Sequence, residues 1–106
     1  MAKSIKGPVP EVTITLDPMP DLGKSPAKER IEVVGREILE RLFPHDFGNS
    51  GQARGKVTFI RKEGTTTFFE LSALFLYRQT YTAVTHKVIF ALSGDEYSII
   101  SVDAEK

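Results

Sequence analysis

Thr65-Thr66-Thr67-Phe68-Phe69-Glu70-Leu71-Ser72-Ala73-Leu74-Phe75-Leu76-Tyr77 is the run on which the reading of this 106-residue chain turns. Read as a strand, it puts Phe69, Leu71, Ala73, Phe75 and Tyr77 on one face and Phe68, Leu74 and Leu76 on the other. Both faces then carry large apolar groups. A bulge that switches the faces would account for this, and so would a second subunit covering the outer face. A third reading makes Glu70 to Gln79 a helix, since Glu, Leu and Ala are good helix formers. The strand reading is preferred, because the β-branched and aromatic residues Thr65 to Phe69 lead straight in and no N-cap or turn interrupts them.

Working outward, the whole stretch from Gly55 to Asp103 is written in strand formers punctuated by two glycine turns, Lys62-Glu63-Gly64-Thr65 and Ser93-Gly94-Asp95-Glu96. It predicts an antiparallel sheet of four strands, over Lys56–Lys62, Thr65–Tyr77, Tyr81–Leu92 and Tyr97–Val102. In the third, Thr82, Val84, His86, Val88, Phe90 and Leu92 share a face opposite Thr85 and Lys87. Upstream, Val12, Ile14 and Leu16 alternate with polar residues in a further strand, Glu11 to Leu16. The prolines around it, Pro8, Pro10 and Pro18, favour an edge. Between these strands Ser25 and Pro26 mark a helix start, and Ala27, Ile31, Val34, Ile38 and Leu42 form one apolar stripe of a helix that Pro44 ends. Gly35 lies near that stripe, where it costs roughly 1 kcal/mol of helix propensity, and is read as a point of close approach to the sheet. His45 to Arg54 reads as a polar, irregular connection.

The expected architecture is therefore α+β, in the order β-α-β-β-β-β: one long helix packed on a curved antiparallel sheet. Residues 1–10 form a flexible arm and residues 11–106 a single domain. This order of elements resembles the cystatin-like roll and, less closely, the cone-shaped nuclear-transport-factor-2-like fold. The resemblance carries no diagnostic motif. Cystatin inhibitors of papain-like proteases use a Gln-x-Val-x-Gly hairpin and a Pro-Trp hairpin. Gln52-Ala53-Arg54-Gly55 is one residue short of the first and lacks its valine, and the chain has no tryptophan. Protease inhibition by that wedge is disfavoured.

Composition removes further classes. Fourteen basic residues balance fourteen acidic ones, so no global field draws the chain to nucleic acid or an anionic membrane. The absence of cysteine removes thiolate chemistry and disulfides. No apolar run reaches the ~18 residues of a membrane span, and the expected location is cytoplasmic. Arg54-Gly55-Lys56-Val57-Thr58-Phe59 begins like an RNA-recognition motif but puts Lys56 and Thr58 where stacking aromatics are needed. Asp46-Phe47-Gly48 matches a kinase motif in letters only.

The groups with chemical potential are few. His45, Asp46, His86 and Tyr81 are candidate ligand or loop contacts, and a His beside a carboxylate would suit a general base. Tyr77, Tyr81 and Tyr97 are candidates to line a cup between sheet and helix. No metal or cofactor is expected, because His45 and His86 show no ligand spacing and would need Asp46 or Asp103 brought to them. The sequence points instead to a non-enzymatic protein-binding or assembly module, a component of a bacterial or phage assembly or an inhibitor of another protein. It would form a homodimer or bind a protein partner through Phe68, Leu74, Phe75, Leu76 and Tyr77. The alternative is a small-molecule-binding or catalytic cup of the cone-shaped type.

Overall fold

The computed structural model describes residues 10–18 and 28–105, without the side chains of 104 and 105. The arm before Pro10 and the expected Ser25-Pro26 helix start lie outside these residues. Strands β1 (Glu11–Leu16), β2 (Gln52–Glu63), β3 (Thr66–Tyr77), β4 (Thr82–Ser93) and β5 (Glu96–Glu105) form one sheet in the order β1-β2-β3-β4-β5. Two helices, α1 (Lys28–Leu42) and α2 (Pro44–Asn49), connect β1 to β2.

The decisive run is a strand without interruption. β3 is hydrogen-bonded to β2 and β4 along its length, and its burial alternates residue by residue. Thr67, Phe69, Leu71, Ala73 and Phe75 are buried, whereas Phe68, Leu74 and Leu76 are half-buried on the opposite face. The bulges fall elsewhere. Ile60 is the extra residue in β2, between the pairs Phe59–Phe69 and Arg61–Phe68, and Ile100 is the extra residue in β5, between Phe90–Ile99 and Ile89–Ser101. Each bulge leaves an isoleucine out of the ladder, 38 % exposed at Ile60 and 54 % at Ile100.

Both hairpin turns behave as their glycines require. Gly64 and Gly94 take φ of +63° and +60°, while Thr65 and Asp95 keep negative φ, as in two-residue type II′ loops with glycine first. Arg30 near the start of α1 donates to the Asp95 carbonyl, tying the second turn to the helix.

Two expectations need correction. The sheet is mixed, because β1 runs parallel to β2, with Glu11 opposite Gln52 and Leu16 opposite Val57. A helical crossover returns the chain to the end from which β1 started, and that geometry demands a parallel neighbour. The long helix is also not single. Pro44 ends α1 as expected, but then serves as the first residue of α2, where its missing N–H costs no hydrogen bond. The expected irregular connection is thus largely α2 followed by β2, with Phe47 N–H donating to the Phe43 carbonyl and Ser50 N–H to that of Asp46.

The core lies between α1 and one face of the sheet. Ile31, Val34, Ile38 and Leu39 of the helix meet Ala53, Val57, Phe69, Leu71, Phe75, Val88, Phe90 and Leu92. Phe69 and Phe90 stack at 5.4 Å, and Phe59 meets Phe69 edge-on at 6.4 Å. Full burial of each such ring contributes about 1.5–3 kcal/mol.

The tightest approach is at Gly55. A Cβ there would stand 2.9 Å from the Ile14 Cδ1 and 3.0 Å from the Leu71 Cδ1, whereas at Gly35 the nearest atom, Ile14 Cγ2, is at an ordinary 3.5 Å. Close contact therefore falls on β2, beneath Ile14, and the helical glycine leaves room for a methyl. Gly35→Ala is expected to raise stability by about 0.5–1 kcal/mol through helix propensity, and Gly55→Ala to lower it by about 1–3 kcal/mol through overpacking. Urea-unfolding midpoints of the two variants test the contrast.

Candidate functional site

Three of the polar groups singled out from sequence meet in one place. Asp46, in the first turn of α2, accepts hydrogen bonds from the Tyr77 hydroxyl through Oδ1 and from His86 Nε2, at 2.9 Å, through Oδ2. Tyr77 ends β3 and His86 lies in mid-β4, so the carboxylate fastens α2 to two adjacent strands. Phe43 stacks on the imidazole, with ring centres 4.0 Å apart and 11° between planes, and Phe75 meets it edge-on at 5.9 Å.

Burial alone would push the Asp46 carboxyl up. The hydrogen bonds from Tyr77 and His86, with attraction to the His86 and His45 rings, outweigh it and hold the group below its ordinary value. Burial and the Asp46 carboxylate together push the Tyr77 hydroxyl up to about 12. These are the shifts of a carboxylate that accepts two internal hydrogen bonds. His86 Nδ1 is buried and has no hydrogen-bond partner. Nε2 is thus bonded to Asp46, and Nδ1 is enclosed. The cluster works as a latch.

The remaining sequence candidates are placed apart from this latch or in different roles. His45 is exposed on α2 and interacts with Asn49, whose side-chain amide donates to the His45 carbonyl at 2.6 Å. Among the described residues, no three histidine or carboxylate side chains come together. Tyr81 is 93 % exposed and has φ of +53°, a left-handed conformation that a tyrosine adopts at a cost, in the loop from β3 to β4.

Of the five proposed docking residues, Phe75 is fully buried in the core, and Tyr77 shares its face and holds Asp46. Phe68, Leu74 and Leu76 do face outward and are half-buried; Leu74 lines one shallow depression of this face, with Thr85 and Lys87, and Leu76 another, with Tyr81. The Arg61 guanidinium lies 4.2 Å from the Phe68 ring centre, and Leu74 stands between Arg54 and Thr85 in register. This face is apolar in letters and half-covered in fact.

The apolar side chains left in water direct attention to β5, where Ile100 is 54 % and Val102 47 % exposed. Beside this strand a cleft of about 360 Å³ opens between helix and sheet, lined by Ile38, Arg41, Leu42, Tyr97 and Ile99. At its rim Arg41 donates to the Tyr97 hydroxyl at 3.0 Å and pairs with Glu37 at 3.4 Å.

The two sheet edges are built differently. β1 is short, is bracketed by Pro10 and Pro18, and is anchored where Asp17 N–H donates to the Val57 carbonyl and Thr58 Oγ1 to the Asp17 carboxylate. β5 is ten residues long and has no proline; of the features that blunt an edge it carries acidic side chains, among them Glu96 and Asp103, and the bulge at Ile100. Sequence reasoning missed this asymmetry because the bulge that exposes Ile100 depends on pairing with β4. Length and composition were the readable signals. No family model, curated protein or solved structure matches the chain.

The latch sets the pH dependence. Because the folded value of Asp46 is lowered, its contribution is present above the unfolded carboxyl range, about 3.9, and is lost as pH falls through the folded value. Because that of Tyr77 is raised, its contribution is present below 10.0 and is lost as pH rises toward about 12. Tyr77→Phe is expected to cost about 1–2 kcal/mol at neutral pH and to flatten the alkaline loss. Melting temperatures of both proteins across the alkaline range check this.

Proposed function

We propose that this chain is a non-enzymatic protein-binding module that takes up an extended segment of a partner along the free edge of β5. The observation carrying this reading is the difference between the two edges: a ten-residue strand without proline, with Ile100 and Val102 exposed, on one side, and a short, proline-bracketed strand on the other. An unpaired edge offers backbone donors and acceptors to another strand, and the exposed Ile100 and Val102 offer apolar contact beside them. The cleft along Ile38, Leu42 and Ile99 supplies an adjoining apolar surface. The earlier docking surface on β3 gives way to β5, because Phe75 and Tyr77 are committed inward and Phe68 lies under Arg61.

Of the groups named for a cup, Tyr77 and His86 direct their polar atoms to Asp46, while Tyr97 lines the cleft between helix and sheet. Among the described residues no helix is long and apolar enough to cross a membrane.

Peptide display with the folded chain as bait is expected to select extended sequences of alternating hydrophobicity. Val102→Lys should abolish capture while leaving the fold intact, because Val102 is already half exposed. Selected peptides that bind this variant and the original chain equally would place docking elsewhere and overturn the reading.

A further inference from the structure

The bulge at Ile100 changes what β5 can pair with. Ile99 lies opposite Phe90 and Val102 opposite Val88, and both of these β4 partners are buried on the helix side of the sheet. Ile99 and Val102 therefore share that face although they are three residues apart, a separation that puts side chains on opposite faces of a regular strand. Ser98 and Asp103, opposite Ala91 and Lys87, share the other face for the same reason.

An antiparallel self-pairing centred between Ile100 and Ser101 sets Ile100 against Ser101 of the second copy and matches the positions that flank this centre. It sets Ile99 against Val102 of a second copy, and Val102 against its Ile99, on the helix side where the cleft ends. On the outer side it sets the Ser98 hydroxyl, a donor, against the Asp103 carboxylate, an acceptor, twice over. A two-fold axis perpendicular to the sheet makes the contact self-complementary.

Resting on the strand-addition reading, we infer that the occupant of the β5 edge is a second copy of this chain, paired antiparallel with Ile99 of each copy against Val102 of the other.

The cysteine-free chain allows a direct test by cross-linking. Residues opposite each other in an antiparallel pair bring their Cβ atoms to ~5 Å, within reach of a disulfide. Full-length Ile99→Cys and Val102→Cys chains, each half exposed or partly buried at the altered position, are mixed under mild oxidation. The mixture is expected to give a covalent heterodimer, and each chain alone little. Sedimentation velocity of the unaltered chain from low micromolar to sub-millimolar concentration should show a monomer–dimer equilibrium. Val102→Lys should weaken it by about tenfold or more. Equal cross-linking of the mixture and of either chain alone would overturn the register. A chain that stays monomeric and gives no mixed cross-link, yet still captures displayed peptides, overturns the second copy while leaving the edge reading in place. Loss of peptide capture as well overturns both.

Discussion

Every other element takes its position from the unbroken alternation of β3. As the central strand it must satisfy hydrogen bonds on both sides, which leaves no room for a bulge and fixes which residues face the helix. Phe69, Leu71, Ala73 and Phe75 thereby become one wall of the core, and Phe69 organises the aromatic contacts to Phe59 and Phe90. The irregularities that twist and curve a sheet are displaced to β2 and β5. Ile100, the extra residue of β5, is left exposed at the edge.

The Asp46 cluster does for the second helix what hydrophobic burial does for the first. A six-residue helix buries little, with Phe47 its single buried side chain, and cannot hold its place by propensity alone. Two hydrogen bonds to one carboxylate, from adjacent strands, fix its orientation as well as its position. Phe43, just ahead of the helix, closes over the imidazole and shields the pair from water. A His–Asp–Tyr grouping that resembles catalytic chemistry in its composition is here enclosed by aromatic rings, and enclosure decides the role.

Much of the fold was legible because it is local. The alternation in β3 and β4, the glycines that open both turns and the apolar stripe of α1 each lie within a window of a dozen residues. The edge position of β1 was likewise readable from its prolines. What escaped depends on partners distant in sequence. The parallel pairing of β1 with β2 follows from a crossover, and the bulges at Ile60 and Ile100 from registers with β3 and β4. α2 was concealed because its Gly, Asn and Asp residues are turn formers; Pro44 at its first position was the available clue. Asp46, Tyr77 and His86 were each noticed, but their union spans forty residues of sequence, from Asp46 to His86, and no spacing encodes it.

The prolines that bracket β1 have a further consequence for how many partners the molecule can hold. A sheet with two open edges has a valence of two and extends copy upon copy into a filament. Here one edge is short and flanked by Pro10 and Pro18, and no strand among the described residues pairs with the other. Under the proposed strand addition the scaffold has a valence of one, and an assembly built through its sheet would terminate with the first partner.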